Sequence, residues 1–150
     1  MDDLDRAILR LLQEDGRLSN VELAERVRLS PSPCLRRVRR LEESGVISGY
    51  RAEVDPAAVG RGFQVVVYAS LSPEDRATIT AFEAAVTRLD EVVECQRMFG
   101  EPDYLLRVAV ADLAAYEQVY TDKLATLPGV AQLTSQIAMK TVKPGGRLPL

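Results

Sequence analysis

The chain has 150 residues, 47% of them hydrophobic and 27% charged, with a formal net charge of −3, the mixture expected of a soluble globular protein. No apolar run approaches the roughly 18 residues that a membrane-spanning helix needs, and the acidic start Met1-Asp2-Asp3-Leu4-Asp5 is unlike the basic head of a secretory signal, so no membrane association and a cytoplasmic location are expected. Two cysteines and no histidine offer no disulfide scaffold, no zinc site and no Ser-His or Cys-His nucleophile pair, so neither a metal, a cofactor nor catalysis is expected.

Three short helices are predicted in the first 45 residues. Leu4, Ala7, Ile8, Leu11 and Leu12 recur at the spacing of one helical face, and this helix ends near Asp15-Gly16. Ser19 and Glu22 form a capping box that opens a second helix, with Val21, Leu23, Ala24 and Val27 as its apolar face. After the turn Arg28-Leu29-Ser30, a third helix begins at Pro31-Ser32-Pro33, prolines being tolerated in a first turn, and stops at Ser44-Gly45. Both Cys34 and Cys95 sit among apolar neighbours and read as small buried residues.

Charge is distributed unevenly along the chain. Residues 1–54 carry ten Lys+Arg against ten Asp+Glu, and four of those arginines fall within 36–40. At about 100° per residue, Cys34, Val38 and Leu41 share one side of the third helix. Ser32, Arg36, Arg39 and Arg40 cluster opposite, with Arg37 toward the edge. Guanidiniums so presented can reach phosphates or the O6/N7 edge of guanine, and the preceding helix and short turn supply the usual support of a recognition helix. A solvated face paired with Glu42 and Glu43 is the competing reading.

Residues 46–62 read as a short strand or extended arm followed by a linker, which divides the chain into a domain at 1–54 and another at 63–150. The second domain alternates. A strand at 63–71 is followed by a helix opened by Asp75 with the stripe Ile79, Phe82, Val86 and Leu89. Strands at 92–99 and 104–110 come next, then a helix capped by Asp112 carrying Leu113, Tyr116, Tyr120, Leu124 and Leu127. A long strand at 130–142 ends the series. This strand-helix-strand-strand-helix-strand order is the ferredoxin-like, split βαβ pattern, so the fold class is α+β. The first strand is apolar on both sides, Val66 and Tyr68 lying opposite Val65 and Val67. Two helices cover only one face of such a sheet, and a second subunit is the simplest cover for the other.

The runs Leu4-Asp5-Arg6-Ala7-Ile8-Leu9, Leu29-Ser30-Pro31-Ser32-Pro33-Cys34, Arg37-Val38-Arg39-Arg40-Leu41-Glu42 and Gly45-Val46-Ile47-Ser48-Gly49-Tyr50, with Gly100-Glu101-Pro102-Asp103-Tyr104-Leu105-Leu106 and Leu127-Pro128-Gly129-Val130 later, resemble the Lrp/AsnC regulators. The Ser-Pro-Cys start of the third helix is closer to the leucine-responsive branch. The resemblance implies sequence-specific binding to double-stranded DNA through a helix-turn-helix, and a homodimer built by the ferredoxin-like domain that associates further into tetramers or octamers. It also implies a small-molecule effector, an amino acid, bound between dimers. Gly100 and Asp103 map onto the family's effector loop, and Thr134, Ser135 and Gln136 onto a neighbouring segment. Read without the resemblance, Gly100-Glu101-Pro102-Asp103 is an ordinary hairpin turn. Two other function classes remain open at this point: an architectural DNA-binding protein with no effector, and an enzyme on a ferredoxin-like core.

Overall fold

Local capping decides where the first helices begin in the computed structural model, which describes residues 1–143 and 145–150. In α1 (Asp3–Glu14) the Asp2 carboxylate accepts the Asp5 amide at 2.9 Å, and the Asp5 carboxylate accepts the Asp2 amide at 3.1 Å. Two orphan donors of the first turn are thereby satisfied. In α2 (Asn20–Arg26) Ser19 and Glu22 make the expected reciprocal pair. Helix α3 (Pro31–Glu43) starts on Pro31, whose missing N–H costs nothing there. These three helices enclose a small core in which Ile8, Leu23, Ala24, Cys34 and Leu41 are buried. Each large aliphatic side chain so buried contributes about 1.5–3 kcal/mol.

Residues 46–54 make no strand pairing, and the Ile47 amide donates back to the Leu41 carbonyl at 3.0 Å. The segment is fastened where the Tyr50 hydroxyl donates to Glu42 Oε1 at 3.0 Å.

The chain divides into two units, Met1–Glu53 with Val142–Leu150, and Val54–Thr141. The tail was expected with the second domain, but groups with the first. Leu150 packs on the helical core, the Leu148 amide donates to Gln13 Oε1 at 2.6 Å, and Arg147 pairs with Glu14 at 3.0 Å.

The second unit is a four-stranded antiparallel sheet in the order β2-β3-β1-β4, from β1 (Phe63–Leu71), β2 (Val92–Arg97), β3 (Tyr104–Val110) and β4 (Val130–Ile137). Helices α4 (Arg76–Val86) and α5 (Leu113–Val119) are capped by Asp75 and Asp112. The α+β, split βαβ expectation therefore holds. Alternation along β1 buries Val65, Val67, Ala69 and Leu71. These form one core with Leu106, Val108, Phe82, Val86, Tyr116 and Val119.

Four features differ from the sequence expectation. The second strand stops at Arg97 rather than 99; beyond it the Met98 amide donates to the Asp103 carbonyl at 2.7 Å, closing the loop between the second and third strands. The last strand stops at Ile137 rather than 142; its pairing with β1 runs out at Val65. The second helix leaves α geometry after Val119 for a single π turn, Tyr120–Leu124. Cys95, expected to be buried, is exposed, since β2 is an edge strand with a sparsely covered face.

On the other face of the sheet, cross-strand pairing sets Leu105, Tyr68 and Thr134 in one row and Arg107, Val66 and Gln136 in the next. Val66, Tyr68 and Leu105 are only half-buried there.

Candidate nucleic-acid interface and effector cleft

Helix α3 owes its orientation to both of its edges. Cys34 and Leu41 point into the helical core, which fixes the azimuth of the whole helix. The Asn20 side-chain amide donates to the Pro31 carbonyl at 2.8 Å, tying the start of α2 to the start of α3. Between them Arg28 adopts φ +57°, a left-handed conformation unusual outside glycine and a means of reversing the chain in a short turn.

The five α3 residues named from sequence separate into two groups. Ser32, Arg36 and Arg39 are exposed, and among the described residues Arg36 and Arg39 make no ion pair. Arg37 and Arg40 are engaged within the protein. Arg37 Nη1 donates to Asp2 Oδ2 and to Asp5 Oδ1, both at 2.8 Å, and Arg40 Nη2 donates to Asp5 Oδ2 at 2.7 Å. Arg40, expected to point freely outward, is thus held on one flank by α1.

Asp2 and Asp5 were not read as site residues. Asp2 is held below the ordinary carboxylate range by the Asp5 amide and then by Arg37. For Asp5 burial acts upward, yet the Asp2 amide and the two arginines outweigh it and the carboxyl is held low as well. The Asp2-x-x-Asp5 spacing is that of a helix cap; the arginines lie 32 and 35 residues further on from Asp5, and no local pattern links them.

In the second unit the β2–β3 loop borders an open cleft of about 620 Å³, lined by Ser70, Leu71, Glu74, residues 97–101 and Asp103. Gly100 sits at φ +89° with nothing within 4 Å of where a Cβ would stand. The turn conformation, rather than crowding, is what favours glycine there. Asp103 Oδ2 accepts the Leu71 amide at 2.7 Å, which braces the loop against the end of β1. Phe99 is fully exposed at the rim.

A shallower depression of about 350 Å³ lies alongside, lined by Tyr68, Ser70, Glu101, Pro102, Gln132 and Thr134. Thr134 thus comes close to the loop. Ser135 does not: strand alternation turns it to the helical side, where its hydroxyl lies 2.5 Å from the Tyr116 hydroxyl. Gln136 shares the Thr134 face but sits one row further along, opposite Val66.

Comparison with known proteins matches both units. Residues 1–48 match the winged helix-turn-helix DNA-binding family and residues 64–148 the Lrp/AsnC ligand binding domain. Leucine-responsive regulatory proteins from Salmonella typhimurium and Escherichia coli K12 are 44% and 43% identical over 148 residues, 99% of this chain and 90% of theirs. A transcriptional regulator of Neisseria meningitidis, solved as a complex with L-Met, superposes with a TM-score of 0.94 at 40% identity, covering 99% of this chain and 96% of that one. An AsnC family regulator from Agrobacterium tumefaciens gives 0.93 at 41% identity, covering 99% and 97%.

Proposed function

The chain belongs to the Lrp/AsnC family of DNA-binding transcriptional regulators, and from that membership we propose how its residues divide the work. Helix α3 enters the major groove of double-stranded DNA with Ser32, Arg36 and Arg39 foremost, while Arg37 and Arg40 lie on the flank beside α1. The observation that carries this is that Arg36 and Arg39 make no ion pair among the described residues, on a helix whose opposite face is sealed into the core. An exposed guanidinium in that position gains a phosphate or a guanine edge without giving up an existing partner.

The second unit senses a free amino acid at the cleft beside Gly100 and Asp103, with Thr134 contributing from β4. Asp103 Oδ1 is left for the ammonium, Oδ2 being taken by Leu71. Loop amides next to Gly100 suit the carboxylate. L-methionine and L-leucine are the first ligands to test, because the Neisseria relative is a complex with L-Met and the enterobacterial relatives are named leucine-responsive. Ser135 and Gln136 stand further from the ligand than Thr134 in this reading.

The half-buried Val66, Tyr68 and Leu105 on the sheet face away from the helices pair with a second copy to make a homodimer, and dimers associate further. The protein acts in the cytoplasm as a regulator and not as an enzyme.

Anisotropy titrations of a labelled mixed-sequence duplex over a range of salt test the DNA interface. Replacing Arg36 and Arg39 together with Ala reduces the salt slope by about two units if each neutralises one phosphate. An unchanged affinity and slope would remove α3 from the interface. Persistent DNA binding with no response to any amino acid would favour a purely architectural role.

A further inference from the structure

Asp5 is the one buried charged residue among the described residues, 1% exposed, and it carries a role beyond capping its own helix. Its two oxygens receive three donors: Arg37 Nη1 on Oδ1, Arg40 Nη2 and the Asp2 amide on Oδ2. Asp2 adds a second carboxylate on Arg37. Two carboxylates therefore face two guanidiniums, and this neutral cluster lies between the start of α1 and the middle of α3.

The cluster does not open readily. Drawing the arginines away would strand a buried carboxylate with only the Asp2 amide, the costliest way to break such a pair. Arg37 is mostly enclosed, its side chain 24% exposed. Arg40 differs: with one Nη pinned at 2.7 Å, its side chain remains 60% exposed. A guanidinium carries five N–H donors in a rigid fork, so fixing one edge of the plane fixes the direction of the other. Arg40 follows Arg39 directly and lies one helical turn beyond Arg36, on the same outward half of α3.

We propose that Asp5 is a positioning residue for DNA binding: it holds the guanidinium of Arg40 so that the free edge clamps a backbone phosphate beside the groove occupied by α3. This rests on the reading of α3 as the DNA-facing helix. The bridge differs from a plain surface charge in requiring a planar fork that spans carboxylate and phosphate at once, which an ammonium cannot do with the same geometry. Such preorganisation spares the ordering entropy that a free arginine loses when it binds.

The test uses the full chain and a labelled mixed-sequence DNA duplex, with circular dichroism melts as a check of folding. Arg40→Ala and Asp5→Asn each weaken duplex binding by roughly 5–50-fold. Combined, they weaken it no further than the stronger single change, because both remove the same clamp. Arg40→Lys, which leaves Asp5 in place and keeps the charge, stays well below wild type. Multiplying fold-changes in the double variant would overturn the proposal, as would wild-type binding by Arg40→Lys. The lysine variant decides the matter by itself if Asp5→Asn does not fold. Arg36→Ala and Arg39→Ala separate the two claims. Should they weaken binding while Asp5→Asn and Arg40→Ala do not, the clamp alone fails; should none of the four matter, α3 does not face DNA.

Discussion

Asp103 offers the sharpest separation of bracing from binding, because its two carboxylate oxygens have different partners. Oδ2 accepts the Leu71 amide at 2.7 Å in a partly buried position. A hydrogen bond to a charged acceptor of that kind contributes about 1.5–3 kcal/mol. Asp103→Ala removes it and leaves the Leu71 amide unpaired, so a melting temperature about 5–15 °C lower is expected for a domain of this size. Asp103→Asn keeps a carbonyl oxygen for Leu71 and loses only the charge assistance, costing roughly 1 kcal/mol. The two variants differ little in what they offer an ammonium, since both lack the negative charge. Calorimetry with L-methionine and L-leucine, paired with thermal melts, separates the roles. Asp103→Asn should melt close to wild type and bind an amino acid at least about tenfold more weakly, a difference of about 1.4 kcal/mol. An Asn variant that binds a wild-type ligand equally well would show that Asp103 braces the loop and nothing more.

Acid stability tests the Asp2–Asp5 cluster. Both carboxyls are held below their ordinary value of 3.8 in the folded protein, Asp2 chiefly by the Asp5 amide and Arg37. A depressed folded pKa contributes stability that is present above the unfolded value and is lost as pH falls through the folded one. Denaturant titrations should therefore find wild type ahead of Asp2→Asn at neutral pH and the gap closing below about pH 4; a gap constant with pH would contradict the ion cluster. At the half-buried sheet face, where we propose that two copies pair, Tyr68→Glu would place like charges across the two-fold axis, and light scattering on the full chain should show dimer dissociation at least about tenfold more favourable. A Tyr68→Glu dimer as tight as wild type would move the interface elsewhere. Gly129 takes φ +72°, and an added Cβ would overlap the Thr78 methyl, so Gly129→Ala should destabilise the second unit by roughly 2–4 kcal/mol in denaturant titrations.

Periodicity made much of this molecule legible. The 3.6-residue repeat placed Cys34 and Leu41 inward, and the alternation of β1 placed Val65, Val67 and Ala69 in the core with Val66 and Tyr68 opposite. It also carried the means to separate Ser135 from Thr134, adjacent residues of one strand that necessarily face opposite ways. What local pattern could not reach were partnerships set by tertiary packing. A helical wheel assigns Arg40 to an outward half, but Asp5 becomes its neighbour only once α1 crosses α3. The tail behaves similarly: sequence order assigns it to the second domain, and only tertiary packing brings Leu148 to Gln13 and Leu150 to the helical core. The π turn at Tyr120–Leu124 keeps the apolar spacing of the preceding helix, so hydrophobic pattern alone did not distinguish it.

In the proposed function, α3 delivers Arg36 and Arg39 to DNA and an amino acid at the Gly100–Asp103 loop alters that binding. One anisotropy experiment addresses both halves: a duplex enriched from a random pool by the wild-type protein, titrated with wild type and with the Arg36→Ala/Arg39→Ala variant, with and without L-methionine or L-leucine. Wild type should show steep salt dependence, the variant a slope lower by about two units, and the wild-type midpoint should shift when the amino acid is present. Equal affinity and equal salt slope for the two proteins would contradict that function.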